Sequence, residues 1–128
     1  MATPFVAFAP VLRVSALTGK GVNKLLPAID SVYTQFCREF TTNRLNRILQ
    51  DITTAHPPSL HRGRRIKLLY VTQIASRPPT FAVVCNYPKA IHFSYHRYLV
   101  NSFRKELGLD KTPIRIFFRE RKRRKIHF

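Results

Sequence analysis

The chain contains no tryptophan, one methionine, two cysteines and four glycines in 128 residues, and only six of its side chains are acidic. Each shortage excludes a class of protein. Two cysteines, Cys37 and Cys85, cannot staple a small disulfide scaffold, so the sequence predicts reduced thiols in a reducing compartment. They form no close CxxC pair, and His92 and His96 belong to no H-E-x-x-H pattern, so neither a zinc site nor a Cys-His nucleophile is expected. The acids stand singly, which leaves no carboxylate pair for acid-base catalysis, and no G-x-x-x-x-G-K-[ST] phosphate loop occurs. No apolar run approaches the ~20 residues of a membrane helix. The apolar start, MATPFVAFAPVLRVSAL, has no basic segment ahead of it and is interrupted by Arg13, unlike a secretion signal. A soluble, cytoplasmic chain with no membrane partner is the expectation.

What the chain has in excess is positive charge: 23 Lys and Arg against 6 Asp and Glu, a net +17. Such an excess opposes compaction by self-repulsion and points to an anionic partner. Nucleic acid is preferred to a membrane surface because no basic helix carries a wholly apolar opposite face. The 45% hydrophobic content, with 10 Phe and 5 Tyr, suits one ordinary domain, or a small domain with a piece of another attached.

Periodicity divides the chain into elements. Val11, Leu12 and Val14 predict a short buried strand over Pro10 to Ser15, with Gly19 and Gly21 in the loop after it. Val22, Leu25, Leu26, Ile29, Val32, Tyr33 and Phe36 form a helical stripe in which Pro27 predicts a kink. Thr41 or Thr42 should cap a second helix, with Leu45, Ile48, Leu49 and Ile52 inward and His56-Pro57-Pro58 as its end. Ile66 to Ala75 alternates as a strand, Ser76-Arg77-Pro78-Pro79 makes a turn, and Phe81 to Cys85 returns. Ser94 is placed to cap a third helix with Tyr95, Tyr98, Leu99, Phe103 and Leu107 on one face and Gly108 as its stop. A last strand from Pro113 sets Ile114, Ile116 and Phe118 on one face and Arg115, Phe117 and Arg119 on the other. From Thr42 onward the order is helix, strand, strand, helix, strand: an α+β fold with a three-stranded sheet and helices on one face.

Basic residues cluster in three places: Arg62, Arg64, Arg65 and Lys67; His96 to Lys105, including Arg97; and Arg119 to Lys125, including Arg121, which is expected to be a solvated, mobile tail. Falling together on one small fold, they read as phosphate contacts. Phe117 between two arginines fits either the core or a sheet face that stacks single-stranded bases.

One stretch carries a family likeness. RVSALTGKGVNKLLPAIDSVY resembles the end of a P-loop GTPase domain, and GRRIKLLYVTQIASRPPTFAVVCNYPKAIHFSYHRYLVNSFRKELG followed by TPIRIFFRERKR resembles the C-terminal region of the tandem-GTPase family called Der or EngA. The resemblance implies that residues 1–40 are a strand-helix remnant of the second GTPase domain and 41–128 a KH-like domain with a basic tail. It implies that Ser15, Ala16 and Leu17 form the guanine-contacting motif, and that Arg62, Arg64, Arg65, Lys67, Arg97, Arg119 and Arg121 contact ribosomal RNA during assembly of the large ribosomal subunit. GTP and magnesium belong to the parent family. This sequence shows no phosphate loop, switch segment or N-K-x-D motif, so no cofactor and no hydrolysis are expected of it alone. The G-x-x-G clamp of KH domains is missing too, which leaves open a regulatory module that docks on the parent's GTPase domains without touching RNA.

Overall fold

The structure is a computed structural model and describes residues 9–121, so the basic tail beyond Arg121 lies outside the described residues. Three helices, α1 (Leu25–Phe36), α2 (Thr42–Ala55) and α3 (Phe93–Leu107), accompany three strands, β1 (Leu68–Ala75), β2 (Thr80–Cys85) and β3 (Arg115–Glu120). The strands lie in the order β1-β2-β3, with β1 antiparallel and β3 parallel to β2.

The helix boundaries follow from local chemistry. The Thr41 hydroxyl accepts from Arg44 N at 3.4 Å and starts α2. Two tyrosines of α3 close its far end: Tyr98 Oη donates to Ile52 O at 2.9 Å and Tyr95 Oη to His56 O at 2.8 Å. The His56 carbonyl is one that the helix end leaves without a helical partner, whereas Ile52 O also accepts from His56 N at 3.1 Å. Gly108 stops α3 at φ 67, and Leu109 N bonds back to Arg104 O at 2.9 Å.

The apolar stripes of α2 and α3 and the inner face of the sheet close one core. Leu45, Leu49, Val71, Phe81, Val83, Leu99, Phe103 and Ile116 are buried in it, and Phe81 stacks on Phe103 at 5.7 Å. Burial of these side chains contributes about 1.5–3 kcal/mol each. Both packed helices cover the same face, so the other face of the sheet is left open.

Five local expectations are corrected. Pro10 to Ser15 is not a strand: an extended segment needs a neighbour for its N–H and C=O groups, and the described residues supply none. Helix α1 runs unbroken through Pro27, which stands in its first turn, where a backbone N–H has no helical partner anyway. Helix α3 begins at Phe93, with His92 as cap and no side-chain cap bond, instead of at Ser94. The alternation along β1 reverses at a bulge between Leu68 and Tyr70, so Val71 faces the core while Tyr70 and Ile74 are exposed. The mobile tail was expected to start at Arg119, a residue also placed in the last strand; Arg119 and Glu120 belong to β3.

Helix α1 has no buried residue but is pinned to the rest. Gln35 Nε2 donates to Asp110 Oδ1 and Gln35 Oε1 accepts from Lys111 N, both at 2.7 Å, and Lys111 Nζ reaches Ser31 Oγ at 2.9 Å. The linker after α1 is held by Gln73, which accepts from Phe40 N at 2.8 Å and donates to Arg38 O at 2.9 Å.

Candidate nucleic-acid interface

The basic entrance to β1 is a tight turn. Arg62 and Gly63 have φ of 50 and 74, and His61 and Arg64 exchange both backbone hydrogen bonds at 2.8 and 2.9 Å. Left-handed backbone at both central positions is the two-residue hairpin geometry that glycine makes accessible. The turn leaves Arg62, Arg64 and Arg65 exposed. Arg64 Nη1 donates to Tyr87 Oη at 3.4 Å, and this bond raises the guanidinium pKa and orients the cation.

Asn86, directly after β2, holds the rest of the cluster in place. Its Oδ1 accepts from Lys67 N at 2.9 Å, its Nδ2 donates to Arg65 O at 3.0 Å, and its backbone N–H donates to Lys67 O at 3.4 Å. On the other side of β2, Arg121 N donates to Cys85 O at 3.1 Å, and Cys85 pairs with Leu68 of β1. The end of β2 therefore sits between Arg65–Lys67 and Arg119–Arg121. Neighbouring strands are about 4.8 Å apart, so the flanking basic segments are separated by roughly 10 Å of backbone. Lys89, in the Pro88–Ala90 turn beside β3, is exposed at the same end.

Two groups of expected site residues fall elsewhere. Arg97 is exposed on α3, its guanidinium 5.0 Å above the Phe93 ring. Ser15, Ala16 and Leu17 form a turn ahead of α1: Gly19 N bonds Ser15 O at 2.8 Å, Thr18 N bonds Ser15 Oγ at 3.3 Å, and Leu17 is 98% exposed. Helix α1 is tethered next to the β1–β2 loop, where Arg77 N donates to Phe36 O, and next to Asp110 and Lys111 ahead of β3. This is the opposite end of the sheet from the basic cluster.

The sequence reading missed Asn86 and Tyr87 as positioning residues and Lys89 as an exposed cation; Arg115, which it placed beside Phe117, is exposed. An asparagine just after a strand signals a turn. Nothing local signals that it grips a segment about twenty residues earlier.

Burial raises the Cys85 thiol pKa, which keeps it protonated and unreactive near neutrality. Among the described residues no three His, Cys, Asp or Glu side chains gather as a metal-ligand set. No described helix is long and apolar enough to cross a membrane.

The helix-strand-strand-helix-strand order, the mixed sheet with α2 and α3 on one face, and a short Ile91-His92 connection before α3 define a KH-like domain without a G-x-x-G clamp. Residues 39–119 match the family described as the KH-domain-like C-terminal domain of EngA bacterial GTPase enzymes. The chain is 53% identical over 120 residues to the GTPase Der of Syntrophobacter fumaroxidans, covering 93% of this chain and 27% of that protein. It is 45% identical over 115 residues to the GTPase Der of Desulforapulum autotrophicum (90% and 23%) and 44% identical over 115 residues to that of Fusobacterium nucleatum (90% and 26%). The chain belongs to the EngA and Der GTPase family, and it spans about a quarter of the length of these curated relatives.

Proposed function

We propose that this chain is the RNA-contacting end of a ribosome-assembly GTPase, and that its KH-like domain touches ribosomal RNA of the large subunit through the basic end of its sheet. The observation that carries the reading is the convergence of Arg62, Arg64, Arg65 and Lys67 with Arg119 and Arg121 around the end of β2. Phosphate-neutralising cations bind by releasing counterions, so affinity should fall steeply with salt. Filter binding of the chain to structured ribosomal RNA at increasing salt tests this, and a flat dependence would sink it.

In this reading the parent binds GTP and magnesium in segments this chain does not contain. The residues present do not fit that group: the Ser15 hydroxyl is engaged by Thr18 N–H, and there is no phosphate loop. Calorimetry with GTP should give no binding heat.

A second reading rests on α1. Leu25, Ala28, Ile29, Val32 and Phe36 line an apolar groove of about 670 Å³ together with Leu12 and Pro113. This face suits a GTPase domain of the parent, fixed to the KH-like domain through Gln35. Equal RNA affinity of a full-length relative with GDP and with GTP would count against control by such docking.

A further inference from the structure

The face of the sheet turned away from α2 and α3 carries two half-exposed rings among cations. Pairing defines its ranks: Tyr70, Val84 and Arg119 lie across the three strands in one, and Thr72, Ala82 and Phe117 in the next. Arg115 begins the same row of β3, opposite Thr80. Tyr70 is 49% and Phe117 50% exposed, so neither ring was absorbed into the core. None of the six acids occupies one of these positions. Glu120, the nearest in sequence, follows Arg119 on β3 and alternates to its other side.

We infer that this open face is a stacking platform for unpaired RNA bases, with Tyr70 and Phe117 as the two stacking rings and Arg115 and Arg119 as their phosphate partners. The inference rests on the nucleic-acid reading above and adds a ligand class to it, single-stranded segments, on a face distinct from the turn at Arg62–Arg65. The physical grounds are three. A ring exposed on a pleated sheet offers a flat apolar surface that any base can cover, and sheet-borne aromatics are an established way of holding unpaired bases. The flanking charge is of one sign, which matches a phosphate backbone and repels a cationic partner. A duplex keeps its bases stacked on one another and cannot use the rings, so the face discriminates by strandedness without reading sequence.

The test compares two labelled probes on the intact chain, an unstructured oligouridylate and an RNA hairpin of equal phosphate number. Phe117→Leu and Tyr70→Leu should each lower oligouridylate affinity about 5- to 150-fold, the range measured for one base–aromatic stack. Neither should change the hairpin affinity or the salt slope. Arg115→Gln and Arg119→Gln should each reduce the oligouridylate salt slope by about 0.7. Phe117→Tyr should retain binding, and an unchanged thermal melt establishes that each variant is folded. If the aromatic variants leave oligouridylate affinity unmoved while the hairpin still binds, stacking is overturned, the RNA reading stands, and the face is left to a protein partner. If neither probe binds the unsubstituted chain, both readings fall.

Discussion

The Asn46 side chain completes the outer edge of the sheet at Val71. Its Oδ1 accepts from Val71 N at 2.9 Å and its Nδ2 donates to Val71 O at 3.0 Å, so one helical amide takes both backbone groups of a residue on edge strand β1. The same Nδ2 also bonds Thr42 O at 2.8 Å in the first turn of α2, so the amide ties helix start and strand together. Asn46→Ala should therefore cost about 1–3 kcal/mol, and Asn46→Asp, which keeps the acceptor and loses the donor, an intermediate amount. Thermal melts check both. A loss for Asn46→Ala within ~0.5 kcal/mol would show that water replaces the amide.

Tyr95 should ionise late. Burial, and then the neighbouring Tyr98, raise its pKa from 10.0 to about 12. The unfolded chain loses this proton near the ordinary value while the folded protein keeps it. The stability attached to the neutral phenol is thus complete below pH 10 and is lost as the pH rises through 12. An alkaline titration followed by tyrosinate absorbance should show one late step, absent in Tyr95→Phe. That variant also forfeits the bond to His56 O, worth about 0.5–1.5 kcal/mol.

Gly108 is required for its backbone and not for space. A Cβ placed there meets nothing within 4 Å, yet φ is +67. Gly108→Ala should cost about 1–2 kcal/mol from the left-handed conformation alone. Gly108→Asn should cost less, because asparagine tolerates that conformation at a helix end. Urea unfolding of the two variants tests the order, which a steric cause would not predict.

Gln35→Ala should loosen α1 while leaving the KH-like core intact. It removes the bonds to Asp110 Oδ1 and Lys111 N, and α1, with no buried residue, keeps only Lys111 Nζ to Ser31 Oγ and Arg77 N to Phe36 O. Trypsin should cut faster at Arg38 with the main melting transition unmoved. Gln35 is also the first cause of the lowered Asp110 pKa. The clamp is therefore formed above the ordinary carboxylate pKa and should weaken as the pH falls through the depressed value. A simultaneous fall in melting temperature would show that α1 belongs to the cooperative core.

Arg64→Gln and Lys67→Gln should each reduce the salt slope for structured RNA by about 0.9, weakening all sequences alike. Asn86→Ala, which removes no charge, should weaken binding with little change in slope, because it frees the Arg65–Lys67 backbone from its two side-chain bonds. A variant of Arg64 with an unchanged slope would remove that residue from the interface.

Much of this molecule was legible from local pattern. The stripe of Leu45, Ile48, Leu49 and Ile52 marks the buried face of α2 because helical spacing alone aligns it. Gly108 marks the end of α3 because only its φ fits there. Other features were not legible. Alternation from Ile66 onward could not reveal that a bulge turns Tyr70 outward, since a bulge adds one residue to a strand without changing composition. Phe117 fitted core or surface equally until the pairing with Ala82 put it on the open face. Val11, Leu12 and Val14 had the composition of a strand and no partner strand among the described residues.

By itself the sequence determined the positive charge, the element order from Thr42 onward and the family likeness, because composition and short-range periodicity are properties of neighbours along the chain. Only the tertiary structure decided which cations share an end of the sheet, which rings stay exposed, and that α1 is held at the other end. Those relationships are made by hydrogen bonds such as Asn86 to Lys67 and Gln35 to Asp110, between residues far apart in sequence, and folding alone brings their groups together.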